Sequence, residues 1–229
     1  MSVGIGVRSD EDTRNDVVAE LEWEPGLDSK GIEVTVDDGV ATLDGSVSSY
    51  VQKLAAERGT QRVSGVRAVH NNLEVQLPAV AERTDEDLLK AVKHALEWDV
   101  LVPTERIEVN VRDSHVTLTG EVEWEYQKSA AEVALRRLAG LRGINNRIRV
   151  SPSIQTSPDE IRSGIQKALI RNVETDASQI AMDVAGTHVT IRGSVRHWSE
   201  REEAERIAWS APGVSSVFND VTVLPQGAM

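Results

Sequence analysis

The sequence contains no cysteine. That excludes disulfides, thiolate metal ligands, a cysteine nucleophile and a lipidated cysteine. Aromatic residues make up only 3%, with one Phe and five Trp among them, so the cores must be aliphatic. No apolar run approaches the roughly 20 residues that a bilayer-crossing helix needs. The start, "MSVGIGVRSDEDT", has no basic segment followed by an apolar one, so no secretory signal is read. The expected compartment is the cytoplasm, or the periplasm if a signal peptide has been removed. Basic residues are in deficit, 25 against 37 acidic, for a net charge of −12. Nucleic-acid affinity comes largely from cations that replace counterions on phosphate. No nucleic-acid partner is therefore expected, and binding to anionic lipid is weakened without being excluded.

Catalytic signatures are also missing. There is no G-x-S-x-G elbow and no Ser-His-Asp order. "VGIGV" at residues 3–7 lacks a full glycine fingerprint. The histidines, His70, His94, His115, His188 and His197, show no metal-ligand spacing. His94 and Glu97 belong to a solvated helix face, and Glu121, Glu123 and Glu125 are read as surface charge. No catalytic residue, cofactor or metal is expected, and the chain is not read as an enzyme.

What the sequence does have is a phrase written three times: "GVRAVHNNL" from residue 65, "GLRGINNRI" from 140 and "GVSSVFNDV" from 213. In each, an Asn stands six residues after the Gly. Twenty residues before each phrase stands another glycine, Gly45, Gly120 or Gly193, in "TLDGSV", "TLTGEV" and "TIRGSV". Thirteen residues further back stand Ile32, Ile107 and Ile180. Nine before those stand Trp23, Trp98 and Arg171. Four anchors agree without a gap, so the chain is an internal triplication with a period of 75 and then 73 residues. The expected domains are 10–77, 84–150 and 157–225, joined by "LPAVAER" and "VSPSIQT".

Each unit reads alike. A first helix opens on a cap, most clearly Ser157-Pro158-Asp159-Glu160, where hydroxyl and carboxylate satisfy free amides reciprocally. Its apolar stripe is Ile161, Ile165, Ala168 and Leu169 in unit three, and Leu88, Val92, Ala95 and Leu96 in unit two. Two alternating strands follow around tight turns at Asp38-Gly39, Asp113-Ser114 and Gly186-Thr187. Gly45, Gly120 and Gly193 are expected to close the second strand. A second helix follows at about 48–63, 124–138 and 198–211. The phrase glycine is expected to stop it in a left-handed conformation. A third strand, "NLEVQL", "RIRVSP" or "DVTVLP", is launched next, parallel to its neighbour. The predicted class is α+β: three tandem small αββαβ domains, each with two helices packed on a three-stranded mixed sheet.

"DDGVATLDGSV", "SSYVQKLAAERG" and "GVRAVHNNLEV" together resemble the BON domain, named for bacterial osmotically induced and nodulation proteins. "HVTIRGSVRHWSEREEAERIAWSAPGVSSVFNDVTV" is similar to a consensus copy. Unit two departs with Ser114-His115 where Gly-Val is expected. The resemblance covers about residues 10–225 and implies an αββαβ fold, a bacterial stress setting and non-enzymatic roles. Relatives include proteins that bind anionic phospholipid through a helix, and a cytoplasmic potassium-binding type. It carries no catalytic residue to transfer.

Charge is uneven: −8 over unit one, −2 over unit two and −3 over unit three. The basic concentration lies in unit two, at Lys128, Arg136, Arg137 and Arg142, with Arg147 and Arg149 nearby. Beside Trp124 and Tyr126 it is a candidate anionic-surface site; an amphipathic helix whose Arg stems cover the sheet edge is the plainer reading. The tryptophans are expected to serve core packing or contacts between units. The expected function is a stress-associated, non-enzymatic binding or scaffold protein that meets a protein partner or an anionic phospholipid surface. The alternative is a small-ion (potassium-type) or small-ligand sensor.

Overall fold

The structure is a computed structural model that describes residues 9–171 and 180–224; the glycine pair at residues 3–7 lies outside the described residues. One unit is built three times. Unit one runs α1 (Asp10–Trp23), β1 (Ile32–Asp37), β2 (Val40–Val47), α2 (Tyr50–Arg62), β3 (Ala68–Asn71) and β4 (Glu74–Val75). Unit two runs α3 (Asp85–Glu97), β5 (Ile107–Arg112), β6 (His115–Val122), α4 (Glu125–Leu135), β7 (Gly143–Asn146) and β8 (Arg149–Val150). Unit three runs α5 (Pro158–Arg171), β9 (Ile180–Ala185), β10 (His188–Val195), α6 (Trp198–Trp209) and β11 (Ser216–Val223).

The first helix starts where a cap satisfies its free amides. Ser9 and Thr84 accept from the Asp12 and Asp87 amides at 3.1 Å each, and Ser157 with Glu160 forms the reciprocal box. The second strand of each hairpin is central: it pairs antiparallel with the first and parallel with the third. A parallel neighbour requires a crossover, which α2, α4 and α6 supply. Register is the same in every unit, with Val40 opposite Ala68, His115 opposite Gly143 and His188 opposite Ser216.

Three sequence expectations shift. The third strand begins inside the phrase, at Ala68, Gly143 and Ser216, rather than after it. The phrase docks there because Arg67, Arg142 and Ser215 donate their amides to carbonyls of the hairpin turn. The phrase glycines do have positive φ, but they lie beyond the helix ends at Arg62, Leu135 and Trp209, not directly at them. Gly45 and Gly120 sit within the second strand, opposite Ile32 and Ile107, instead of closing it. Their φ values are +112° and +135°, and a Cβ on either would stand 2.1 Å from a backbone carbonyl oxygen, that of Gly31 or Arg106. Only glycine admits so close an approach.

The hairpin turns are tied to the first helix. Asp10 accepts from the Asp38 and Gly39 amides at 2.9 and 3.0 Å, and Asp85 from the Asp113 and Ser114 amides at 2.9 Å each. Unit three has Pro158 at that position and lacks the clamp. Ser114 is held at φ +64°, which an L side chain resists by about 1–2 kcal/mol. Unit one carries Gly39 there, at φ +72°. Ser114→Gly is therefore expected to raise stability by about 0.5–1 kcal/mol, after allowing for the larger freedom of glycine in the unfolded chain. Urea unfolding measures this, and a loss of stability would refute the strain argument.

Each unit has its own buried aliphatic cluster. Leu43, Leu118 and Ile191 from the central strands meet Leu21, Leu96 and Leu169 from the first helices. Ala56, Ala131 and Ala204 are equivalent and wholly buried. Their small side chains let the second helix lie close on the sheet.

Candidate functional site: the seams between units

The repeated Asn is a pin. Asn71 Nδ2 donates to the Lys53 carbonyl at 3.0 Å and to Glu57 Oε2 at 3.1 Å. Asn146 donates to the Lys128 carbonyl and Glu132, and Asn219 to the Arg201 carbonyl and Glu205. The Asn Oδ1 accepts from the amide two residues on, of Leu73, Ile148 or Val221. Each pin joins the third strand to the second helix and fixes a glutamate on that helix. The phrase is architecture, as its spacing implied.

A second repeated device holds the start of the second helix. Gln52, Gln127 and Glu200 occupy one repeat position and accept from the amides just before the helix. Beside it, the first helical residue differs in every unit: Tyr50, Glu125 and Trp198. These three unlike residues face neighbouring units.

Tyr50 packs against the clusters of both unit one and unit two. Burial raises its hydroxyl pKa, with Glu132, Arg136 and the Ile144 backbone around it. Glu125 of unit two lies within electrostatic reach of Glu205 of unit three. Trp198 of unit three donates Nε1–H to the Val66 carbonyl of unit one at 3.0 Å, while Arg201 lies 5.3 Å over its ring. Contacts run from unit one to two and from three to one, and Glu125 and Glu205 bring units two and three within electrostatic reach of each other.

Glu125 is the costly member. Burial pushes its carboxyl pKa up; Lys128 and Ser129 oppose this, whereas Glu205 and Glu132 add to it. Its Oε1 accepts from Ser129 at 3.2 Å, and its Oε2 is buried without a hydrogen-bond partner. A carboxyl whose pKa is higher folded than unfolded binds more protons in the folded state, so stability falls as pH rises through the interval between the two values. Glu125→Gln keeps the Ser129 acceptor and removes the charge. It is expected to raise the melting temperature at pH 7, and the gain should shrink as the pH drops towards the ordinary glutamate range. A gain independent of pH would show that charge is not the cause.

The basic residues singled out in the sequence divide. Arg136 caps α4, pairs with Glu132 at 3.0 Å and has a buried Nε, so it serves the seam with Tyr50. Lys128 acts electrostatically on Glu125. Arg137 and Arg142 are exposed, and Arg149 pairs with Glu121 at 2.8 Å. The expectation that the tryptophans serve packing holds for Trp198 and Trp209, which lie against the unit-three cluster. It fails for Trp23 and Trp98, which are 84% and 79% exposed. Trp23 is the last residue of α1 and Trp98 the first after α3, each two residues past the last buried one, and the Trp98 ring lies 5.4 Å from that of His94. His115 and His188 are exposed at the starts of β6 and β10. Among the described residues no group of three or more His, Asp or Glu could hold a metal ion. No described helix is long and apolar enough to cross a membrane.

A family model described as the BON domain matches three times, over residues 9–76, 84–152 and 157–225. The chain belongs to the BON domain family. Its three BON units are tandem copies, and membership supports a binding or scaffold role, since BON domains are in general not catalytic. No curated protein matches the chain. Solved structures similar to the chain include two of one protein. One is CdsD, a structural protein of the Type III secretion system of Chlamydia trachomatis, at 14% identity over 93% of this chain and 92% of that one, with a TM-score of 0.28. The other is the C-terminal domain of CdsD, at 13% identity over 95% and 100%, with a TM-score of 0.27.

The seam residues could not be found by matching the BON copies, because the copies disagree there. The pins could: Glu57, Glu132 and Glu205 recur at one spacing from the phrase Asn.

Proposed function

We propose that this protein is a non-enzymatic, stress-associated scaffold whose three BON units, taken as domains 10–77, 84–150 and 157–225, present binding surfaces in a fixed relation. The observation that supports this best is the pair of equivalent indoles, Trp23 and Trp98, left 84% and 79% exposed. Val100 and Leu101, also exposed, extend the second of them. Large exposed aromatics that no unit buries are typical anchors for a protein partner. The contacts of unit one with units two and three add to this, because surfaces held in a constant geometry can engage one partner together. An anionic membrane surface is the other partner class for this scaffold, with Arg137 and Arg142 as its exposed cations and Lys128 and Arg136 behind them. We place it in the cytoplasm.

The test uses Trp23→Ala/Trp98→Ala and Arg137→Glu/Arg142→Glu variants. Both should melt like the parent, since neither pair is buried. Crosslinking in stressed cells should yield a specific adduct that the Trp variant loses. Co-sedimentation with phosphatidylglycerol vesicles at low salt should be lost by the Arg variant if the membrane is the partner. If neither the adduct nor vesicle binding is seen with the parent, the scaffold reading fails.

A further inference from the structure

The seam between BON units one and three holds a cleft of about 550 Å³. Arg58 and Arg62 line it from unit one, and Arg196 and His197 from unit three. Apolar surface comes from Trp198, Val223 and Leu224, and one carboxylate, Glu202, is present. In a chain of net charge −12, a lining with three guanidiniums and one carboxylate stands against the general potential. Arg62 is already held by Glu20 and Glu24. Among the described residues Arg58 donates only its Nε, to the Leu54 carbonyl of its own helix. Among the described residues no carboxylate is paired with Arg58 or Arg196. Two unpaired forks therefore flank a partly buried indole, across a gap of the size small-molecule sites have. Guanidinium forks select carboxylate, sulfonate and phosphate oxygens in bidentate geometry, and the indole favours a flat apolar body beside them.

We propose that this cleft is a binding site for a small organic anion that carries an aromatic ring, and that its occupant fastens unit three to unit one. Cations from both units converge on it, so a bound anion bridges the seam and adds to the Trp198–Val66 hydrogen bond already there. The proposal does not depend on the scaffold reading. A ligand could seat here whether or not Trp23 and Trp98 meet a partner.

The probe is 1-anilinonaphthalene-8-sulfonate, titrated against the folded full-length protein, with N-phenyl-1-naphthylamine as its uncharged counterpart. The sulfonate is expected to bind saturably with one site per chain and to raise the melting temperature, as any ligand selective for the folded state does. The uncharged compound should bind at least about tenfold more weakly, and Arg58→Gln/Arg196→Gln should weaken the sulfonate by about tenfold or more. Both arginines are exposed, so the variant should melt like the parent without probe. Equal affinity for the two compounds, unsaturable binding, or sulfonate affinity unchanged in the double variant would overturn the assignment.

Discussion

Gly120→Ala is expected to unfold the second BON unit. The added Cβ would stand 2.1 Å from the Arg106 carbonyl oxygen and 3.1 Å from its carbon. Both are backbone atoms, so no side chain can swing aside. The Arg106 carbonyl is carried into β5, which is laddered to β6 from Ile107 onwards. Relief therefore requires moving the strand. The φ of +135° adds a conformational penalty of about 1–3 kcal/mol for any L side chain. Clash and backbone strain together should exceed about 4 kcal/mol, at the far end of single substitutions. Gly164→Ala is the control: it sits within α5, and its Cβ would meet nothing within 4 Å. It should stabilise by about 0.5–1 kcal/mol. Denaturant unfolding compares the two, and amide exchange should show protection lost from β5 to β8. A Gly120→Ala cost under about 1 kcal/mol would mean that β5 and β6 are not so close.

Trp198→Ala is expected to open the seam between units one and three and to cost about 3 kcal/mol, in line with large aromatic truncations. Three things go together. Packing against the unit-three cluster is lost, Arg201 loses the ring it covers, and the Val66 carbonyl loses its donor. Trp198→Phe separates them: it keeps most of the packing and removes the hydrogen bond, for about 1 kcal/mol. Small-angle scattering reads the seam directly. Trp198→Ala should increase the radius of gyration, while units one and two keep their exchange protection. Lost stability with unchanged dimensions would assign Trp198 to the unit-three core alone.

Legibility in the sequence followed the range of the interactions. The turns at Asp38-Gly39 and Asp113-Ser114, the Ser157–Glu160 cap and the alternation of Ile32, Val34 and Val36 depend on neighbours a few residues apart, and all were readable. Gly45 and Gly120 announced a special backbone, but their place inside the strand rather than at its end was not readable. The reason for the glycine is a carbonyl on the adjacent strand, which only pairing brings near. Trp23 and Trp98 were misread because an indole at a helix end usually packs, and whether a partner surface exists is not written at that position.

Spacing alone determined that the fold is triplicated, αββαβ in each copy, with aliphatic cores and glycines that serve architecture. Repetition made this possible, since three copies must each satisfy the same short-range constraints and chance agreements cancel. Only the tertiary structure decided how the copies meet. Tyr50, Glu125 and Trp198 share one repeat position but no chemistry, so no pattern marks them. Their roles arise from surfaces that come together after each unit has folded: the Tyr50 hydroxyl and the Trp198 indole join unit one to its neighbours, and the Glu125 carboxyl is buried near Glu205 of unit three.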